Sequence, residues 1–385
     1  MKTKNLLLVI VSLGIVIGVA VWSKKQPVQP NNPNQFSKLP PWEEPWKKDQ
    51  PKPPTDYTVE QAVKSINEAD LKEMLYYLAS NELEGRMSGK RGNVVAADYI
   101  KRKYESYGLQ TEYQRFNINR VNPGPKNETG DDFTQNIFAW IEGNDPKLKD
   151  EIIVVGAHMD HIGYGPAMSQ SPSRREIHPG ADDNASGTVA LMSIARAFGM
   201  LKGKVRRTIV FQSYSAEEMG LIGSRYYCDN PTFPRGKPNI RNHVAMINMD
   251  MVGYFQKGRY LTGFYTGESS IDLNRHVNDL TGKYTFAKQI TSRGGGGSDH
   301  ASFYNKKVPV ASLHTGMHKN YHTPDDTADK INYKGLENVA RYAFELAYAV
   351  AQADAAPVFN HAGFSPLPYT HDHGHPESPF HRKEE

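Results

Sequence analysis

The chain is 385 residues long and carries 46 Lys and Arg against 42 Asp and Glu, a formal charge of +4 at pH 7. With an isoelectric point near 8.8 and basic residues scattered rather than striped among aromatics, no nucleic-acid partner is expected. A single cysteine, Cys228, excludes an intrachain disulfide and any zinc site built on four thiolates.

Lys2 and Lys4 precede the apolar run "LLLVIVSLGIVIGVAVW", residues 6–22. Basic residues followed by such a run mark residues 1–25 as an export segment. The run is long for a cleaved signal and slightly short for a spanning helix. Two readings stay open: cleavage after Ala20, or retention as a membrane anchor through residues 6–22. Either one puts the protein in the periplasm or outside the cell. Residues 26–57 are rich in Pro, Asn, Gln and Lys, the composition of an extended linker.

The folded domain is expected over residues 58–356. "TVEQAVKSINEADLKEMLYYLAS" has helical periodicity, with Thr58 as its cap. "GNVVAADYIKRKYESYGLQ" reads as a second helix, closed by Gly108. "TEYQRFNINRV" and "TQNIFAWIEG" alternate as half-buried antiparallel strands do. The pattern then changes. "EIIVVGA", "RTIVFQSY", "HVAMINM" and "VPVASLH" are short apolar runs, separated by the helical stretches "SGTVALMSIARAFG", "GLIGSRYYCD" and "SSIDLNRHVNDLTG". Buried parallel strands alternating with helices predict a three-layer α/β/α domain around a mixed, mostly parallel sheet. "YKGLENVARYAFELAYAVAQA" is the last helix, and residues 357–385 read as a His- and Pro-rich disordered tail.

Ligands of open α/β sheets bind beyond the carboxyl ends of the strands. His158, Asp160 and His161 follow the first apolar run, Glu217 and Glu218 the second, and Asp250 the third. A loop after the fourth reaches His322, and "HPGADDNASG" supplies Asp182 and Asp183 at the start of a helix. Helix capping needs only one of Asp182, Asp183 and Asn184. Five segments thus bring carboxylate or imidazole to one sheet edge. Carboxylates gathered there repel unless a cation sits among them, and His with Asp or Glu suits zinc. Two zinc ions, three carboxylates and one hydroxide balance in charge.

The motifs "GAHMDHIG", "GADDNASG", "SAEEMGLIGS", "NMDMVG", "SDHASFYN" and "YHTPDDT", in this order and spacing, resemble the M28 family of zinc aminopeptidases over roughly residues 75–350. The resemblance implies two Zn2+ per chain. His158 and Asp250 would hold one, Glu218 and His322 the other, and Asp183 would bridge them. It makes Glu217 the general base, Asp160 a carboxylate that orients His158, and Tyr321 a stabiliser of the oxyanion. It also implies a cis peptide between Asp183 and Asn184. The implied function is a di-zinc exopeptidase that removes N-terminal residues from peptides with a free N-terminus, by way of a hydroxide shared between the metals. The alternatives are a carboxypeptidase or dipeptidase of the same family, a glutaminyl cyclase, or an inactive membrane-tethered binding domain.

Overall fold

A computed structural model describes residues 56–118, 133–165, 168–171, 175–255, 261–264, 266–284, 297–362, 364–367 and 369. The export segment, all but the last two residues of the expected linker, and the histidine-rich stretch 371–375 lie outside them.

The first helical pattern is two helices, Val59–Ser65 and Glu68–Leu78. Thr58 caps the first: its side chain accepts from the Gln61 N–H while the Gln61 side chain accepts from the Thr58 N–H. Asn67 caps the second by accepting from the Asp70 N–H. Ile66 is extended between them and stays buried. Apolar spacing therefore runs unbroken through a chain that turns. The next helix, Arg91–Ser106, leads through Gly108 at φ +75° into β1.

Among the described residues the sheet has seven strands: β1 (Gln110–Asn117), β2 (Phe133–Ile141), β3 (Ile152–His158), β4 (Thr208–Tyr214), β5 (His243–Met249), β6 (Thr262–Phe264) and β7 (Val310–His314). Their order is β1-β2-β4-β3-β5-β7-β6. β4, β3, β5 and β7 are parallel, and antiparallel strands flank them on both edges. The four apolar runs are thus the parallel centre and the two alternating runs one edge, as the sequence implies. β6 is a short edge strand that its sequence does not announce.

Alternate residues of the central strands feed two separate cores. Ile153, Val155 and Ala157 of β3 pack with helices Gly187–Met200 and Tyr333–Gln352, whereas Ile152 and Val154 pack with Tyr227, Cys228 and Phe303 on the other face. This is the three-layer arrangement. The described residues after Pro357 are packed rather than disordered. Phe359 is buried against that second core, Phe364 and Leu367 pack on it, and the Leu367 N–H donates to Asn305.

The second core holds a pH-sensitive pair. Tyr227 donates its hydroxyl to Nε2 of His243, 2.7 Å away, and Nδ1 of His243 faces the Asn239 carbonyl. Burial pushes the imidazole down to about 4. The ordinary value of about 6.5 applies when the chain unfolds, so the neutral ring favours the fold. That stability is complete above pH 6.5 and is lost as pH falls towards 4, by about 3 kcal/mol. Urea midpoints at pH 7 and pH 4 are expected to show this fall, and His243→Gln to reduce it.

Candidate metal centre

Each strand of the parallel centre ends in a chemically active residue or leads to one. β3 ends in His158 itself. β4 leads through Ser215 and Ala216 to Glu217 and Glu218, and β5 leads directly to Asp250. Ala216 (φ +59°), Met251 (φ +51°) and His322 (φ +51°) are non-glycine residues in the left-handed region, each at or beside a site residue. Such strain persists where the surroundings over-determine the backbone, and it clusters at functional sites.

The loop 181–186 answers the question its sequence raises. Asn184 does the capping: its Oδ1 accepts from the Gly187 N–H at 2.9 Å, and its amide donates to the Met249 carbonyl. Asp182 ties the loop outward, accepting from the Gly253 N–H at 2.7 Å and facing Nε2 of His318 at 3.1 Å. Asp326 accepts the N–H groups of both Asp182 and Asp183. The Asp183–Asn184 peptide is cis. Asp183 is left with its carboxylate among imidazoles.

His158 Nε2 lies 3.4 Å from Oδ1 of Asp183 and 3.3 Å from Oδ1 of Asp250. His322 Nε2 lies 3.0 Å from Oδ2 of Asp183 and 3.1 Å from Oε2 of Glu218. Asp183 therefore stands between two clusters, one with His158 and Asp250, the other with Glu218 and His322. His161, which the sequence reading left without a role, joins the second cluster: its Nδ1 is 2.8 Å from Oε1 of Glu218. Glu217 is fully buried, with Oε2 4.0 Å from Nε2 of His158. Tyr321 stacks on the His322 ring, centroids 3.9 Å apart.

The Asp160 carboxylate lies 3.8 Å from Nδ1 of His158, at ion-pair distance and beyond hydrogen-bond reach. The Asp160 backbone carbonyl faces that nitrogen at 3.2 Å. The carboxylate accepts the N–H groups of Glu217 and Glu218 and so fixes their turn.

The donor set fits a metal. Among the described residues neither oxygen of buried Asp183 accepts a hydrogen bond. Burial and Glu218 push its carboxyl upward, but the imidazoles of His158 and His322 more than offset them and it stays ionised. Burial alone would depress His322, but Glu218 and Asp183 raise it to about 10. Without metal, imidazolium supplies the cation that these carboxylates require. Nitrogen and oxygen donors buried together in this way suit zinc.

Arg86 is the second residue that sequence reasoning missed. Its guanidinium is buried and donates to the carbonyls of Met159, Leu78, Pro179 and Gly180, at 2.6 to 2.9 Å. It clamps the loop after β3 to the loop that carries Asp183.

The fold and site define a metallopeptidase class, and the sequence matches peptidase family M28 over residues 136–347. The chain belongs to that family. A probable leucine aminopeptidase of Arthroderma otae is 35% identical over 217 residues, 53% of this chain and 56% of that protein. The chain thus spans about half the length of the curated relatives it matches. The LapA aminopeptidase of Legionella pneumophila superposes with a TM-score of 0.59 at 25% identity, covering 79% of this chain and 78% of that one. A glutaminyl cyclase of Bacteroides thetaiotaomicron shares the fold, with a TM-score of 0.59 at 20% identity over 74% of this chain and 98% of its own. Among the described residues no helix is long and apolar enough to cross a membrane.

Proposed function

We propose that the protein is an exported di-zinc aminopeptidase. The observation that carries this reading is the pair of buried donor clusters sharing Asp183: His158 with Asp250, and Glu218 with His322. When bound there, zinc would polarise the substrate carbonyl and make a water acidic enough to attack it.

The chain's own residues do the rest. Glu217 takes a proton from the attacking water and passes it to the leaving amine as the C–N bond breaks. Asp160 positions that base by holding the N–H groups of Glu217 and Glu218. Tyr321, stacked on His322, offers its hydroxyl to the oxyanion that forms at the carbonyl. Burial raises this phenol well above its ordinary value, and the carboxylates of Asp183 and Glu218 add to the effect, so it remains a donor. The free amine of the substrate is attracted to the acidic edge formed by Glu217 and Asp250. Relatives named as leucine aminopeptidases favour this polarity.

The test uses the full chain loaded with zinc. Unblocked aminoacyl peptides are expected to be cleaved, N-acetylated ones to be spared, and a chelator to abolish turnover. Cleavage from the C-terminus would make the protein a carboxypeptidase. Loss of ammonia from N-terminal glutamine without hydrolysis would make it a cyclase. No turnover with zinc bound would make it a binding domain.

A further inference from the structure

We propose that His161 is a fourth protein donor at the Glu218–His322 position, so that the two metal positions are unequal and this one fills first. The inference rests on the reading of the site as a zinc centre given above.

His161 follows the end of β3 by three residues. Its backbone N–H donates to the Arg86 carbonyl, and Gly163 likewise donates to Gly85, so the loop is laced to the segment 85–86. The ring lies on Gly180 (φ +58°), where a Cβ would stand 2.5 Å from its Cγ and Cδ2. Glycine there admits both the Asp183 carbonyl, 2.2 Å from where that Cβ would stand, and the imidazole.

The ring has one polar engagement. Nδ1 lies 2.8 Å from Oε1 of Glu218 and 3.7 Å from Oδ2 of Asp183. Nε2 is buried with no hydrogen-bond partner among the described residues, so no other network there explains why an imidazole is placed here. His322 approaches the same two carboxylates but takes the other oxygen of Glu218, Oε2. The two rings stand at 80° to each other, and the four donor atoms lie within 4.8 Å of one another. A hydrogen bond from Nδ1 to Glu218 would explain one of these contacts. A shared cation explains why all four donors converge.

The other cluster offers His158, Asp183 and Asp250, three donors with one imidazole. Four donors with two imidazoles hold a borderline-soft dication more tightly. Zinc is therefore expected to bind in two steps, the tighter one on the His161 side.

X-ray absorption on the metal-free full chain given one equivalent of zinc tests this without any substitution. Two imidazoles per zinc are expected at one equivalent, and three shared over two ions at two equivalents. His161→Ala is expected to weaken the first step by more than the roughly 10–100-fold that loss of a residue hydrogen-bonded to a ligand costs, read by competition with a zinc chromophore, and to remove one imidazole from the spectrum. One imidazole at the first equivalent, or unchanged binding in the variant, would overturn the inference while leaving a two-zinc enzyme intact. Failure to take up zinc at all would overturn the proposed function with it.

Discussion

Glu217→Gln is expected to lower turnover of an unblocked peptide by about 10²–10⁴-fold while both zinc ions remain bound. The substitution keeps the shape of the side chain and removes its negative charge together with its capacity to accept a proton. Glu217 lies outside both donor clusters that share Asp183, and its placement comes from its backbone, through the N–H bond to Asp160 and the left-handed turn at Ala216. None of those supports changes in the variant. A third grouping, His158 with Glu217 and Glu218, could also hold an ion. Metal analysis therefore decides the role: zinc lost together with activity would make Glu217 a ligand, and zinc retained with native activity would remove it from the mechanism.

The site was legible because its residues stand where apolar strand runs stop. His158, Glu217, Glu218 and Asp250 each follow a buried run within a few positions, and the parallel sheet brings those ends to one edge. Asp183 was separable from Asp182 only through the family motif. Position in sequence does not show that Asp182 reaches Gly253 and His318 while Asn184 caps the helix.

His161 was visible as a residue and silent as a donor, because its role depends on the path of a loop returning over Gly180. The break at Ile66–Asn67 was hidden by a buried residue on each side, which continued the helical period through the turn. β6 is three residues long, too short to carry a periodic signal. The family resemblance pairs Asp160 with His158, and no local pattern announces that its carboxylate also accepts N–H groups of the turn after β4. Strand ends can be read from local composition. Side-chain bonds between distant loops cannot.

Arg86 shows that limit most sharply, and its removal is expected to have the largest effect on stability. It sits in "NELEGRMSG", a stretch with no periodicity, and three consecutive left-handed residues, Glu84, Gly85 and Arg86, turn it inward. Among the described residues its hydrogen-bond partners are backbone carbonyls, which no sequence pattern reveals. Burial lowers the guanidinium to about 10, with Asp183 and Asp326 foremost among the carboxylates that hold it up, so it is charged at neutral pH. Arg86→Met keeps most of the volume and leaves four carbonyls without their donor, at about 1–3 kcal/mol for each one that stays buried and unpaired. Some of that cost is offset because a buried charge no longer has to be desolvated, so the net loss is expected near 4 kcal/mol. Arg86→Lys retains the charge and three donors, but not the planar fork that spans two loops. It is expected to fall between wild type and Arg86→Met. Denaturation midpoints of the metal-free protein measure both losses. Arg86→Met within about 0.5 kcal/mol of wild type, a surface-like value, would mean that the loop after β3 and the loop bearing Asp183 hold their geometry without the clamp.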